Sequence, residues 1–201
     1  SQGHDDDDWF GSLPADFAVE PFMPGNAALN DADLSSKLSA WIERQKQEQK
    51  GLAPLMKLKA RNTERKRYLN GKAPDYTLLR ANAASDGEVS ATEAQGLLEL
   101  KVVTSREQNF TEAHQGQLQR DLESVMLATP WRRTLYGCLV SQSTFQLCRA
   151  VRYRGVVHFQ WAQLRYWEEH SHIFFKLFVC VDPLPSSLII GRLCRANRRL
   201  S

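Results

Sequence analysis

Residues 96–103 read GLLELKVV, and no other stretch restricts the fold as tightly. The run is short, apolar and bounded by a glycine, which predicts a β-strand over 96–103. Side chains alternate across a strand, so Leu98, Leu100 and Val102 share one face and Glu99 and Lys101 share the other. The first face is core. The second presents a carboxylate and an amine two residues apart. A second strand is predicted over Asp75–Arg80, entered through Pro74, with a polar loop between the two runs. Paired antiparallel, these strands bring Asp75 and Glu99 together at one end of a sheet.

The remaining chain supplies helices and more strands. Asn30 or Asp31 caps a helix over about 32–49, with Leu34, Leu38, Trp41, Ile42 and Gln45 on one face. The run LAPLMKLKA after Gly51 reads as a short strand, and Asn70-Gly71 marks a bend behind a basic segment, Lys57–Lys72. A helix over about 111–128 carries Leu118, Leu122, Val125 and Met126 at helical spacing and is stopped by Pro130. Residues 133–141 and 144–152 form a hairpin, 155–161 a further strand, and 162–181 a last helix rich in aromatics. The order predicts an α/β (α+β) domain, one sheet flanked by helices. Trp9, Phe10, Phe17 and Phe22 predict that the arm 1–30 packs on the domain. The body is assigned to 31–182, and 183–201 is a basic tail, read as the start of a further, partner domain.

Composition excludes several classes. A chain of 201 residues, 42% apolar and 24% charged, builds one domain with a real core. Net charge is only +3, so charge alone does not mark a nucleic-acid binder, although Lys57–Lys72 and Arg192–Arg199 form basic patches able to meet phosphates. The four cysteines, Cys138, Cys148, Cys180 and Cys194, lack metal-ligand spacing and read as free thiols of a reducing, intracellular compartment, nuclear or cytoplasmic. No apolar run approaches the ~20 residues of a membrane span. The histidines show no triad or helical metal spacing.

Asp75, Glu99 and Lys101 therefore carry the candidate chemistry. Two converging carboxylates make an oxygen site for Mg²⁺, with Mn²⁺ as a substitute. Such an ion activates a water and polarises a phosphoryl oxygen, while Lys101 neutralises developing charge. The competing reading is a surface ion pair on an exposed strand, worth less than ~1 kcal/mol.

The pattern Pro74-Asp75 … Glu99-Leu100-Lys101 resembles the PD-(D/E)xK nuclease superfamily, over roughly residues 32–165. Residues 115–140, QGQLQRDLESVMLATPWRRTLYGCLV, are similar to the nuclease-like module of Crinkler-type effectors and fungal kinase-associated proteins, through Gln117, Pro130, Arg132, Arg133 and Gly137. The resemblance implies a restriction-endonuclease-like fold and metal-dependent cleavage of DNA. It implies metal binding by Asp75 and Glu99, and a catalytic lysine at Lys101. A Gln of the following helix approaches the site in many members. Gln115, Gln117 and Gln119 are available, and Gln117 fits the register best. A first-helix Glu completes the metal site. Glu43, Glu48 and, ranked lower, Glu64 are the candidates, with Glu43 carried forward although the sequence does not choose among them. Arg132 and Arg133, together with Lys66 and Arg67 of the basic segment, are assigned to nucleic-acid contact. The alternative function is a non-catalytic module of the same fold that binds nucleic acid or a protein within a larger effector-like protein, which for an effector extends the location to a host nucleus.

Overall fold

The computed structural model describes residues 7–11, 13, 18–25, 30–85, 87–103 and 110–184. Phe17, Cys194 and the basic run Arg192–Arg199 lie outside these. In chain order the elements are α1 (Asp7–Phe10), α2 (Asp31–Glu48), α3 (Leu52–Leu55), β1 (Leu58–Asn62), β2 (Tyr76–Arg80), β3 (Gly96–Leu100), α4 (Glu112–Ala128), β4 (Thr134–Val140), β5 (Thr144–Tyr153), β6 (Val156–Trp161), β7 (Arg165–Tyr166) and α5 (Trp167–Val179). The strands form one seven-stranded sheet in the order β1-β2-β3-β4-β5-β6, with β7 added to β5. Only β3 and β4 run parallel. Helix α4 makes the crossover that a parallel pair needs.

Local chemistry accounts for the boundaries. Asn30 caps α2 in a reciprocal box with Asp33. Thr111 caps α4 in the same way with His114, which gives that histidine a structural role. Asn70 and Gly71 both adopt positive φ, 49° and 84°, and close the bend between Leu69 and Lys72. Two expectations change. The residues after Gly51 make a helical turn before the strand begins at Leu58, because Gly51 at φ 93° turns the chain back after α2. The last helix begins at Trp167 and not near 162, because Arg165 and Tyr166 pair with Thr144 and Phe145 as an extra strand.

Both faces of the sheet are covered. On one, α2 and α5 pack over Leu78, Leu98, Leu100, Val140 and Phe145. Trp41 and Trp167 meet there with ring centroids 5.6 Å apart, and Phe22 from the arm meets Trp167 edge to face at 5.1 Å. The aromatic run of α5 is therefore core. On the other face α4 packs over Leu97, Leu135, Leu139 and Cys148. A Cβ on Gly137 of β4 would lie 3.0 Å from Leu118 Cδ1 and 3.1 Å from Leu122 Cδ1, so glycine lets α4 approach the sheet. Every residue of β3 is consequently buried, Glu99 included. The expected division of β3 into a core face and an open face gives way to apolar core on both sides, with Glu99 buried beneath α4 on the second.

Candidate active site

Asp75 is held at the mouth of β2 by its neighbours. Pro74 is buried and its carbonyl accepts from Thr63 Oγ1 at 2.8 Å, while the Thr63 amide donates to the Asp75 carbonyl at 2.9 Å. Register pairs Tyr76 with Leu98, which sets Asp75 across from Glu99. One carboxylate oxygen of Asp75, Oδ2, accepts the Leu100 amide at 2.7 Å. The antiparallel pairing expected of these strands is present.

Glu99 is only 1% exposed. Its Oε2 accepts from Gln117 Nε2 at 2.8 Å and from Lys101 Nζ at 3.3 Å, and among the described residues its Oε1 accepts no hydrogen bond. Gln117 is the helix glutamine that reaches the strand pair; Gln115 bonds Gln146 instead, at 3.1 Å. One helical turn beyond Gln117 stands Asp121, 2% exposed, within hydrogen-bond reach of Glu99 and with an unpartnered Oδ1. The sequence reading missed Asp121. Its position four residues from Gln117 and beside Leu122 of the apolar stripe is the signal that marks it.

Burial, followed by repulsion from Asp75, raises the Glu99 carboxyl to about 8, with Lys101 opposing the shift. Burial also raises Asp75, countered by the Leu100 amide, and raises Asp121, countered by Lys72. The Tyr68 phenol is pushed up by burial and by the charges of Asp121 and Glu99, and it bonds Thr77. Three carboxyls thus crowd a poorly solvated space beside one close ammonium. Such crowding favours the protonated carboxyls.

Glu43 is not among them. It sits on the exposed side of α2, paired with Lys46 at 2.7 Å, twelve residues or about 18 Å along the helix from Asp31. The acidic groups that act on Asp75 from outside are Asp31 and Glu64. Asp31 Oδ1 also accepts the Val102 amide at 3.3 Å. Lys66 and Arg67 are exposed between Thr63 and Tyr68, two residues that border the cluster. Arg132 and Arg133 precede β4, at the opposite end of the sheet from Lys101. Arg133 is exposed, but Arg132 is 2% exposed, so its side chain is not offered to an open nucleic-acid surface.

Among the described residues no group of three His, Cys, Asp or Glu side chains is arranged to hold a metal ion. Two carboxylates, with a bare buried oxygen on Glu99, still suit Mg²⁺, which keeps several waters and takes one or two protein carboxylates. Among the described residues no helix is long and apolar enough to cross a membrane. No protein-family profile, curated protein or solved structure matches the chain.

Proposed function

We propose that this chain is a divalent-cation-dependent nuclease domain of the PD-(D/E)xK type that hydrolyses phosphodiester bonds of DNA. The observation that carries the reading is the convergence on Glu99: Lys101 and Gln117 fix Oε2, Oε1 is bare, and Asp75 stands across the strand pair. Asp75 and Glu99 would hold Mg²⁺ or Mn²⁺. The bound ion supplies an acidified water and a polarised phosphoryl oxygen. Gln117 orients Glu99 so that its free oxygen faces the cluster. Lys101, 19% exposed at its side chain, offers its ammonium to the charge that develops on the phosphate. Lys66 and Arg67 meet flanking phosphates as exposed point charges. Glu99 must be ionised to take part, so activity rises with pH as this buried carboxyl gives up its proton. The Crinkler-like arrangement of residues 115–140 supports a place within a larger effector-like protein.

The burial of Glu99 favours a second reading, a non-catalytic module of the same fold that binds nucleic acid or a protein. Cleavage of supercoiled plasmid, short DNA duplexes and RNA with Mg²⁺ or Mn²⁺ separates the two. Cutting by the parent chain, lowered at least 100-fold in Glu99→Gln and in Lys101→Met, is the expected result. Binding without cutting would establish the second reading, and equal cutting by parent and variants would remove the site.

A further inference from the structure

Among the described residues β1 and β6 are the outer strands of the sheet, and they meet solvent differently. β1 carries Lys59 and Arg61, whose charged heads donate to the Ala83 and Gly87 carbonyls of the loop after β2. Charge on an edge strand discourages pairing with another chain. β6 reads Val-Val-His-Phe-Gln-Trp and has no Lys, Arg, Asp, Glu or Pro. Four of its residues are β-branched or aromatic, and none of its side chains is buried. It lies three strands from β3, about 14 Å across the sheet, and so apart from the carboxylate cluster.

The backbone shows which groups of β6 point outward. Arg154 and Gly155, at φ 49° and 83°, join β5 to β6 in a two-residue turn. Tyr153 and Val156 flank that turn as a pair exchanging both backbone hydrogen bonds, and such pairs alternate along an antiparallel ladder. Val156, His158 and Gln160 therefore bond inward to β5, whereas Val157, Phe159 and Trp161 direct their N–H and C=O groups away from it. Two flanking bonds agree with this phase. The Ala162 amide donates to the Leu147 carbonyl at 3.0 Å, and the Arg152 amide turns the other way, to the Arg133 carbonyl at 2.8 Å. Among the described residues no strand pairs with the outer edge of β6. The side chains of Val157, Phe159 and Trp161 beside that edge are only half-buried.

We propose that β6 pairs with β6 of a second copy of this chain, antiparallel, about a two-fold axis at Phe159. The strand is complementary to itself in that register. Phe159 faces Phe159 of the second copy and Val157 faces its Trp161, so the residues with outward groups meet one another and exchange both bonds at each pair. Their side chains make aromatic–aromatic and aromatic–β-branched cross-strand pairs, which favour a sheet. His158 faces Gln160, whose carbonyl oxygen Arg149 already holds at 2.6 and 2.9 Å, so no like charges are opposed. The absence of charge along the strand favours a copy of itself over a charged extended peptide. The contact also closes, because pairing uses up β6 on both copies and leaves only the charged edge β1.

Sedimentation equilibrium and amide exchange by NMR on the full chain test this. A reversible monomer–dimer equilibrium is expected. In the dimer the Val157, Phe159 and Trp161 amides are expected to exchange about 10-fold or more slowly than after dilution to monomer. The His158 and Gln160 amides, bonded within the chain, should change little. Phe159→Lys sets like charges on the axis and is expected to weaken association about 10-fold or more. Should that variant not fold, Val157→Pro removes an outward N–H without breaking a bond to β5 and is expected to weaken association severalfold. Glu99→Gln is expected to dimerise as the parent does, so loss of the nuclease reading leaves this inference standing. A parent that stays monomeric to about 1 mM would overturn it. So would a dimer that both variants leave unchanged, or one whose Val157, Phe159 and Trp161 amides exchange as in the monomer. A monomer with those amides protected would also overturn it, by placing a segment of the same chain on the edge.

Discussion

Gln117 Nε2 and Lys101 Nζ approach the same oxygen of Glu99, at 2.8 Å and 3.3 Å, and among the described residues nothing donates to its other oxygen. One donor comes from α4 and the other from the strand's own next-but-one residue. The carboxylate is thereby fixed from two directions while half of its acceptor capacity is kept in reserve.

Removing the helix donor tests that division. Gln117→Ala is expected to cost about 1–3 kcal/mol, because it strips a hydrogen bond from a buried acidic group. It also removes a donor that favours the ionised form, so the Glu99 carboxyl should rise further and the acid limb of the cleavage pH profile should move to higher pH. Urea unfolding and pH–rate curves measure the two effects. Lost stability with an unmoved acid limb would show that Gln117 does not act on the ionisation of Glu99.

The raised Glu99 carboxyl sets a pH dependence of stability. In the unfolded chain this group ionises near 4.5, whereas in the fold it holds its proton to about 8. Between these values the native state binds more protons than the unfolded state, so stability falls as pH rises from about 4.5 to about 8. Asp75 and Asp121, also raised, act in the same direction. Glu99→Gln is expected to flatten the slope and to exceed the parent in stability at pH 8 by on the order of a few kcal/mol. Mg²⁺ competes with the proton, so it should raise the parent's melting temperature more at pH 8 than at pH 5.5. Denaturant unfolding and melting curves across that range, with and without Mg²⁺, check both outcomes.

The alternation of GLLELKVV, the Asn30 cap, the apolar stripe of the helix over about 111–128 and the Asn70-Gly71 bend were legible because each is a local rule, and the elements begin within a residue or two of where those rules place them. Strand pairing carried Asp75 to Glu99 for the same reason. What local rules leave out is which element covers which face. Glu99 looks like a solvent-facing residue until α4 is laid over it. Glu43 looks like a site residue until the direction of α2 is known, since the helix brings its first residue toward Asp75 and carries residue 43 away. Residues 165–166 join the sheet through pairing with residues 144–145, a contact that no periodicity within 162–181 encodes.

Two glycines should respond in opposite ways to alanine. A Cβ on Gly96 would stand 2.9 Å from Leu78 Cδ1 and 3.0 Å from the Tyr136 carbonyl oxygen, and the latter is backbone of the paired strand and has nowhere to go. Gly96→Ala is expected to destabilise by about 1–3 kcal/mol through overpacking. Gly116, inside α4, would meet only the end of the flexible Arg120 side chain, at 3.4 Å. Gly116→Ala is expected to stabilise by about 0.5–1 kcal/mol through lower backbone entropy in the unfolded chain. Chemical denaturation of the pair measures both signs, and a neutral Gly96→Ala would mean that β3 and β4 can separate locally at low cost.

Asp31 and Glu43 belong to the same helix and should differ sharply in their effect on cation binding. The Asp31 carboxylate accepts the Val102 amide next to Lys101 and adds to the negative potential felt by Asp75. Glu43 is 59% exposed, pairs with Lys46 and is screened by solvent. Asp31→Asn keeps the amide contact through its carbonyl oxygen and removes only the charge. It is expected to weaken Mg²⁺ binding severalfold, and to ease the ionisation of Asp75 because one repelling charge is gone. Glu43→Ala is expected to leave Mg²⁺ affinity within twofold of the parent and stability within about 0.5 kcal/mol. Calorimetric titration with Mg²⁺ at pH 8 compares the three proteins directly. A loss confined to Glu43→Ala would mean that α2 presents its middle, and not its first turn, to the cation.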